Sequence, residues 1–263
     1  VLTRSGRCSR ESEARGESLA GTASTVRSWL LLEHPGPWGR SAPADTRLPV
    51  GVGVDLLRRC RATGVRPLLI RRAPGVTPTQ GVTCFAVRSG PEAPWIETTR
   101  LDAFADALEL DLEAIGQGNR PGLEPHERAL FLVCTHGRRD VCCAERGRPL
   151  AQALSRAYGE ETWECSHIGG DRFAANLLAF PHGLYFGRVL PADAAGVAGA
   201  YLDGRLALEH LRGRSCYPMA VQAAEIALRG REGLDRVDEV AFERARWDGD
   251  LVTATFSTPR GRL

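Results

Sequence analysis

The order of apolar runs, breaks and periodic stretches in this sequence predicts a mixed α/β (α+β) fold made of two halves with one plan, followed by a short extension. Each half opens with an apolar strand, a loop and a helix, once near Val26 and again near Leu130. Each continues with a strand, a hairpin and a closing helix, and the Gly/Pro/Asn interruption from Gln117 to Gly122 separates the two.

Residues 1–22 carry too little apolar surface to offset the entropy of ordering, so a mobile lead-in is expected there. Val26 to Glu33 reads as a buried strand. It ends in His34-Pro35-Gly36-Pro37-Trp38-Gly39, where two prolines and two glycines forbid regular structure. Gly53 to Thr63 has helical spacing, with Val54, Leu56, Leu57 and Cys60 on one side. Pro67 to Ile70 is a short strand, and Val82 to Arg88 and Pro94 to Thr99 flank a Gly90-Pro91 turn. Leu101 to Ile115 reads as one amphipathic helix. The second half repeats the pattern: a strand at Leu130 to Val133, a helix at Ala144 to Tyr158 and a strand at Thr162 to Cys165. A hairpin follows, Phe173 to Phe180 and Leu184 to Val189 around Pro181-His182-Gly183, then helices at Ala192 to Leu202 and Leu206 to Leu211. Strand–loop–helix–strand–hairpin–helix is the thioredoxin-like order. The halves are drawn at residues 23–120 and 121–215. Residues 216–263 form the extension: Pro218 opens a helix over Ala220 to Leu228, and Val237 to Phe256 alternates around the hairpin signal Asp248-Gly249.

A chain of 263 residues can bury a sizeable core in one large or two small domains. Its 43% hydrophobic and 25% charged content are those of an ordinary soluble protein. The net charge of +2 gives no reason to expect nucleic acid or membrane, and 6% aromatic residues are too few for a base-stacking platform. No apolar run has bilayer length, and the N-terminus lacks the apolar core of a signal peptide, so a cytoplasmic location is expected. Eight cysteines in such a chain are poor evidence for a disulfide framework; thiols near a histidine read as metal ligands or redox groups. Phosphate-binding glycine loops, dinucleotide fingerprints, H-E-x-x-H and nucleophile elbows are absent, as is a carboxylate pair suited to glycoside chemistry.

The informative stretch runs from Cys134 to Asp171. Cys134 follows the apolar run Ala129 to Val133, and Cys142 and Cys143 stand just before a helix. The next apolar segment ends in Trp163-Glu164-Cys165-Ser166-His167-Ile168-Gly169-Gly170-Asp171. Thiols, an imidazole and a carboxylate on loops at strand ends are the donors of a metal centre, and an iron–sulfur cluster is the expectation. Alone, His167 would more often be a hydrogen-bonded structural histidine; the glycines after it shift the balance by letting backbone amides approach a ligand. Cys142, Cys60 and Cys84 fit the ordinary role of small buried hydrophobes.

Cys134-Thr135-His136-Gly137-Arg138-Arg139-Asp140-Val141-Cys142-Cys143, with its C-x8-C spacing, and the following Ser166-His167-Ile168-Gly169-Gly170 resemble the sucrase/ferredoxin-like family of thioredoxin-fold [2Fe–2S] proteins. Glu33-His34-Pro35-Gly36-Pro37-Trp38-Gly39 and Pro218 to Glu225 are similar to further segments of that family. The resemblance implies a [2Fe–2S] cluster held by Cys134 and Cys143 from the first loop and by side chains of the second. Cys142 is the alternative to Cys143, whose position at a helix start favours a thiolate. Where members with two histidine ligands have H-x-G-G-H, this chain has Asp171 at the last position. Three accounts compete: Asp171 is the fourth ligand beside His167, Cys165 replaces it, or the cluster is lost. His136, Gly169 and Gly170 are read as support around the ligands. Arg138, Arg139, Arg146 and Arg148 form either a docking face for an acidic redox partner or an ordinary solvated surface. The expected role is a one-electron carrier without turnover of its own, with an unidentified redox partner and an oligomeric state the sequence does not give. The alternatives are a thioredoxin-like thiol–disulfide protein, for which C-x-x-C is absent, and a structural zinc-binding protein. The first half, with no Cys/His set of its own, is expected to be scaffold or docking surface.

Overall fold

A computed structural model describes residues 7–73 and 80–263. After a first helix, α1 (Cys8–Ala14), the first half runs β1 (Ser28–Glu33), α2 (Val52–Thr63), β2 (Val65–Arg71), β3 (Val82–Arg88), β4 (Trp95–Leu101), α3 (Leu112–Gln117) and β5 (Glu124–Pro125). The second half runs β6 (Leu130–Cys134), α4 (Val141–Ala157), β7 (Thr162–Cys165), β8 (Leu177–Phe180), β9 (Leu184–Phe186), α5 (Ala194–Leu202) and β10 (Leu211–Arg214). The extension is α6 (Met219–Glu232) with the strands β11 (Ala241–Asp248), β12 (Leu251–Thr258) and β13 (Gly261–Arg262).

The duplicated order is realised in the pairing. β1 lies parallel to β2 and antiparallel to β3, which pairs antiparallel with β4. In the second half β6 lies parallel to β7 and antiparallel to β8, which pairs antiparallel with β9. Both halves therefore have the thioredoxin-like arrangement, with the first strand internal. β2 and β7 pair antiparallel through Ile70 with Cys165 and Arg71 with Glu164, so one ten-stranded mixed sheet runs β10-β9-β8-β6-β7-β2-β1-β3-β4-β5.

Paired residues share a face and neighbours along a strand alternate. Leu30, Leu32, Leu69 and Ala86 pack with Leu56 and Cys60 of α2 and Ile115 of α3. Phe131, Val133, Leu177 and Ala179 pack with Leu150 and Leu154 of α4 and Val197 and Tyr201 of α5. The other face is one apolar layer across both halves, including Leu31, Ile70, Leu132, Cys134, Trp163 and Cys165, and Cys143 and Ile168 reach into it. Because β1 and β6 are internal and buried on both faces, their sequences are unbroken apolar runs. β11, β12 and β13 form a separate sheet, and Phe256 joins Val221 and Leu228 of α6 in a smaller core.

Three expectations are corrected. Leu101 to Ile115 is not one helix. The Asp106 carboxylate accepts from the Ala103 N–H at 2.8 Å and closes a 3-10 turn at Phe104–Leu108, and Asp111 caps α3 by accepting from the Ala114 N–H at 2.9 Å. Two caps inside one apolar period break it. Leu206 to Leu211 is a 3-10 turn leading into β10, because Leu211 and Arg214 complete the edge of β9. Residues 1–6 of the expected mobile lead-in lie outside the described residues, but residues 8–14 fold as α1 with Ser9 and Ser12 buried. Polar contacts hold α1, which a count of apolar surface misses: Arg188 donates to the Ser12 carbonyl and hydroxyl, and Arg146 pairs with Glu13 at 2.7 Å. Among the described residues no helix is long and apolar enough to cross a membrane.

Candidate metal centre

Cys134 is the last residue of β6, and six residues later Asp140 starts α4 by accepting the Cys142 N–H at 2.8 Å. Gly147 sets the spacing between the two elements. A Cβ there would lie 2.1 Å from the Cys134 carbonyl oxygen, so only glycine lets α4 press against the end of β6. That contact brings Cys143, in the first turn of α4, to Cys134. The sulfurs of Cys134 and Cys143 and a ring nitrogen of His167 all lie within 4.8 Å of one another, and Cys143 Sγ is 3.8 Å from His167 Nδ1.

The second loop is fixed from several sides. Ser166 clamps it to β2, its N–H donating to the Leu69 carbonyl at 2.8 Å and its hydroxyl accepting from the Leu69 N–H at 3.0 Å. The His167 N–H donates to Nδ1 of His136 at 3.2 Å, while Nε2 of His136 donates to the Gly39 carbonyl at 2.6 Å. Both ring nitrogens of His136 are thereby used, its proton sits on Nε2, and burial holds its pKa below the ordinary histidine value. Gly169 and Gly170 have φ of +94° and +75°. A Cβ on Gly170 would fall 2.1 Å from the Arg212 guanidinium, so the glycine makes room for that side chain. Arg212 is buried under the loop, donating to the Thr22 carbonyl at 2.5 Å, the Gly169 carbonyl at 3.2 Å and Asn176 Oδ1 at 2.8 Å. Burial pulls its pKa down to about 10.

The structure thus brings together Cys134, Cys143 and His167. Asp171 sits at the other ring nitrogen, with Oδ1 3.8 Å from His167 Nε2, and its side chain is 40% exposed. Cys165 pairs in register with Cys134 on the neighbouring strand but, like Asp171, stays outside the three-donor group; burial raises its thiol pKa well above the usual value. Cys142 turns away toward α1, its sulfur 3.5 Å from that of Cys8. Arg138, Arg139 and Arg148 are exposed, whereas Arg146 is half-buried and engaged with Glu13. Arg212 and Cys8 were not legible as site residues: one stands in a short strand and the other in a polar stretch.

The two thiols at the centre are opposed electrostatically. Donation from the Cys143 thiol, followed by His167, lowers the Cys134 pKa against the cost of burial. Cys143 is held protonated by the Cys134 thiolate, by burial and by the charges of Asp140 and Asp171. Of the two, Cys134 is the thiol inclined to the thiolate that a soft metal binds.

The sucrase/ferredoxin-like family model matches residues 19–213. Among curated proteins, "Altered inheritance of mitochondria protein 32" of Meyerozyma guilliermondii is 33% identical over 78 residues, covering 26% of this chain and 28% of the relative. The protein of the same name from Clavispora lusitaniae is 30% identical over 100 residues, covering 35% of this chain and 37% of the relative. The matches thus span about a third of those relatives' length. Among solved structures, a thioredoxin-like [2Fe–2S] ferredoxin from Aquifex aeolicus covers 35% of this chain and 97% of its own, at 17% identity and a TM-score of 0.31.

Proposed function

Because this chain belongs to the sucrase/ferredoxin-like family, we propose that it holds a [2Fe–2S] cluster and passes single electrons to a partner protein. The observation that carries this reading is the convergence within 4.8 Å of two thiols, one at the end of β6 and one in the first turn of α4, and the imidazole of the loop after β7. The donor set fits the group: one thiol is already lowered, and soft sulfur with imidazole nitrogen is iron–sulfur ligation. Cys134, Cys143 and His167 would hold the cluster, with Asp171 at the remaining position. Asp171 is exposed beside the His167 ring, whereas the Cys165 sulfur is locked in the apolar face of the sheet. When bound, the cluster supplies one-electron transfer, at a potential raised by replacing thiolate with neutral imidazole.

The chain's own residues hold that site in shape. His136 fixes the backbone of His167, Arg212 pins Gly169 from below, and Gly147 keeps Cys143 against Cys134. The exposed Arg138, Arg139 and Arg148, next to a cleft lined by Trp38, Arg71 and His136, suit a redox partner with an acidic face. Reconstitution with iron and sulfide, followed by iron and sulfide analysis, visible absorption and electron paramagnetic resonance, tests the reading. Stoichiometric iron and sulfide with a reducible spectrum is expected. A colourless, iron-free product would overturn it, and a reversible loss of two free thiols in such a product would favour thiol–disulfide chemistry instead.

A further inference from the structure

A second set of donors lies beside the first. Cys8 Sγ is 3.5 Å from Cys142 Sγ, 3.9 Å from Asp140 Oδ2 and 3.6 Å from Asp171 Oδ2. The donor atoms of Cys8, Asp140 and Cys142 all lie within 4.8 Å of one another. Zinc bonds of about 2.3 Å to sulfur and about 2.0 Å to oxygen, in a tetrahedron, put sulfurs about 3.8 Å apart and sulfur about 3.5 Å from oxygen. The separations from Cys8 fall within about half an ångström of those edges. We infer that Cys8, Cys142 and Asp140 form a mononuclear site for a zinc-like dication, with the Asp171 carboxylate beside it, distinct from the centre of Cys134, Cys143 and His167.

Both carboxylates are positioned by something other than the metal. Asp140 Oδ1 is held by the Cys142 N–H, leaving Oδ2 to face Cys8. Asp171 points Oδ1 at His167 and Oδ2 at Cys8, so its carboxylate stands between the two centres. Nearby arginines are committed elsewhere: Arg146 to Glu13, Arg7 to Glu145, Arg172 to Glu17 and Arg188 to Ser12. Burial, Cys142 and the charges of Asp140 and Asp171 push the Cys8 thiol up to about 12. A dication would compensate the acids and thiols crowded there. Zinc binds each cysteine as the thiolate, and the protons the two thiols give up go to solvent. The bound ion would tie α1 to the start of α4.

The test uses the full chain carrying Cys134→Ser and Cys143→Ser, which removes the first centre, titrated with zinc against a chromophoric chelator. One equivalent of zinc with release of two protons is expected, and cobalt(II) should give the charge-transfer absorption of two thiolates. Adding Cys8→Ser should weaken zinc binding at least about tenfold. Asp140→Asn, which preserves the helix cap, should weaken it while leaving the far-ultraviolet circular dichroism unchanged. Failure of the double variant to take up zinc, or unchanged affinity after Cys8→Ser, would overturn the inference. In the otherwise unaltered chain, Cys8→Ser should keep any cluster spectrum, and its loss would put Cys8 on iron and also overturn it. A protein that takes up no iron yet binds zinc through Cys8 would sink the cluster reading and leave this one standing.

Discussion

The Cys143 sulfur stands 3.8 Å from Nδ1 of His167, although the one lies in the first turn of α4 and the other in a loop 24 positions on. With His167 turned so, its other nitrogen faces Asp171 at 3.8 Å, and the two candidates for the fourth ligand separate in space. Asp171→Ala should lower iron and sulfide content or shift the paramagnetic spectrum, while Cys165→Ala should leave both unchanged. The opposite pattern would move the ligand to Cys165.

His136→Leu removes no proposed ligand but strips the partners from two backbone groups, the Gly39 carbonyl and the His167 N–H. Leaving such groups unpaired costs about 1–3 kcal/mol. A lower urea midpoint should accompany reduced cluster content, because the His167 backbone loses its anchor. Unchanged occupancy would mean that His136 does not position the second loop.

Gly147→Ala drives a methyl group into the Cys134 carbonyl, at 2.1 Å in the present geometry. Overpacking of this kind costs about 1–3 kcal/mol and should push α4, with Cys143, away from β6. Gly230→Ala is the control: a Cβ there meets nothing within 4 Å, and the change should stabilise α6 by about 0.5–1 kcal/mol. Calorimetry and metal content on the two variants separate a helix effect from a site effect.

His182 accepts a hydrogen bond from the Tyr201 hydroxyl at Nδ1, 2.7 Å away, and burial lowers its pKa from 6.5 to about 4. The folded-state value lies below the unfolded one, so the unfolded chain binds the extra proton between these limits. Stability should therefore fall as pH drops from about 6.5 to about 4, by at most about 3 kcal/mol from this residue. Denaturant titrations of the protein and of His182→Asn should differ in slope by up to one proton inside that window and run parallel above it.

The sequence made the centre legible where its donors sit at or just beyond the ends of apolar strands, because such strands and their breaks are visible in one dimension. Cys134, Cys143 and His167 are of this kind. Cys8 is not: α1 is a seven-residue polar helix held by Arg188 and Arg146, and neither contact leaves a local pattern. The strand order was legible because both halves alternate alike, but periodicity alone merged the turn at Phe104–Leu108 with α3, since side-chain caps at Asp106 and Asp111 interrupt it without changing the apolar spacing. The glycines after His167 read in the sequence as allowing close approach to a ligand; in the structure, Gly170 makes room for Arg212, a residue 42 positions on that no neighbouring sequence announces.

The seam between β2 and β7 is only two residue pairs long, yet Arg71 crosses it to the buried Glu164 at 2.6 Å, and Thr135, beside Cys134, donates to the same carboxylate at 2.7 Å. The first half is thus an orphaned carboxylate's counter-ion and a strand's missing neighbour. Cut away from it, a fragment starting near residue 121 would offer the bare rim of β7 to any extended chain it met, most readily another copy of itself. Sedimentation should find such a fragment self-associated while the intact chain shows no concentration dependence attributable to that rim.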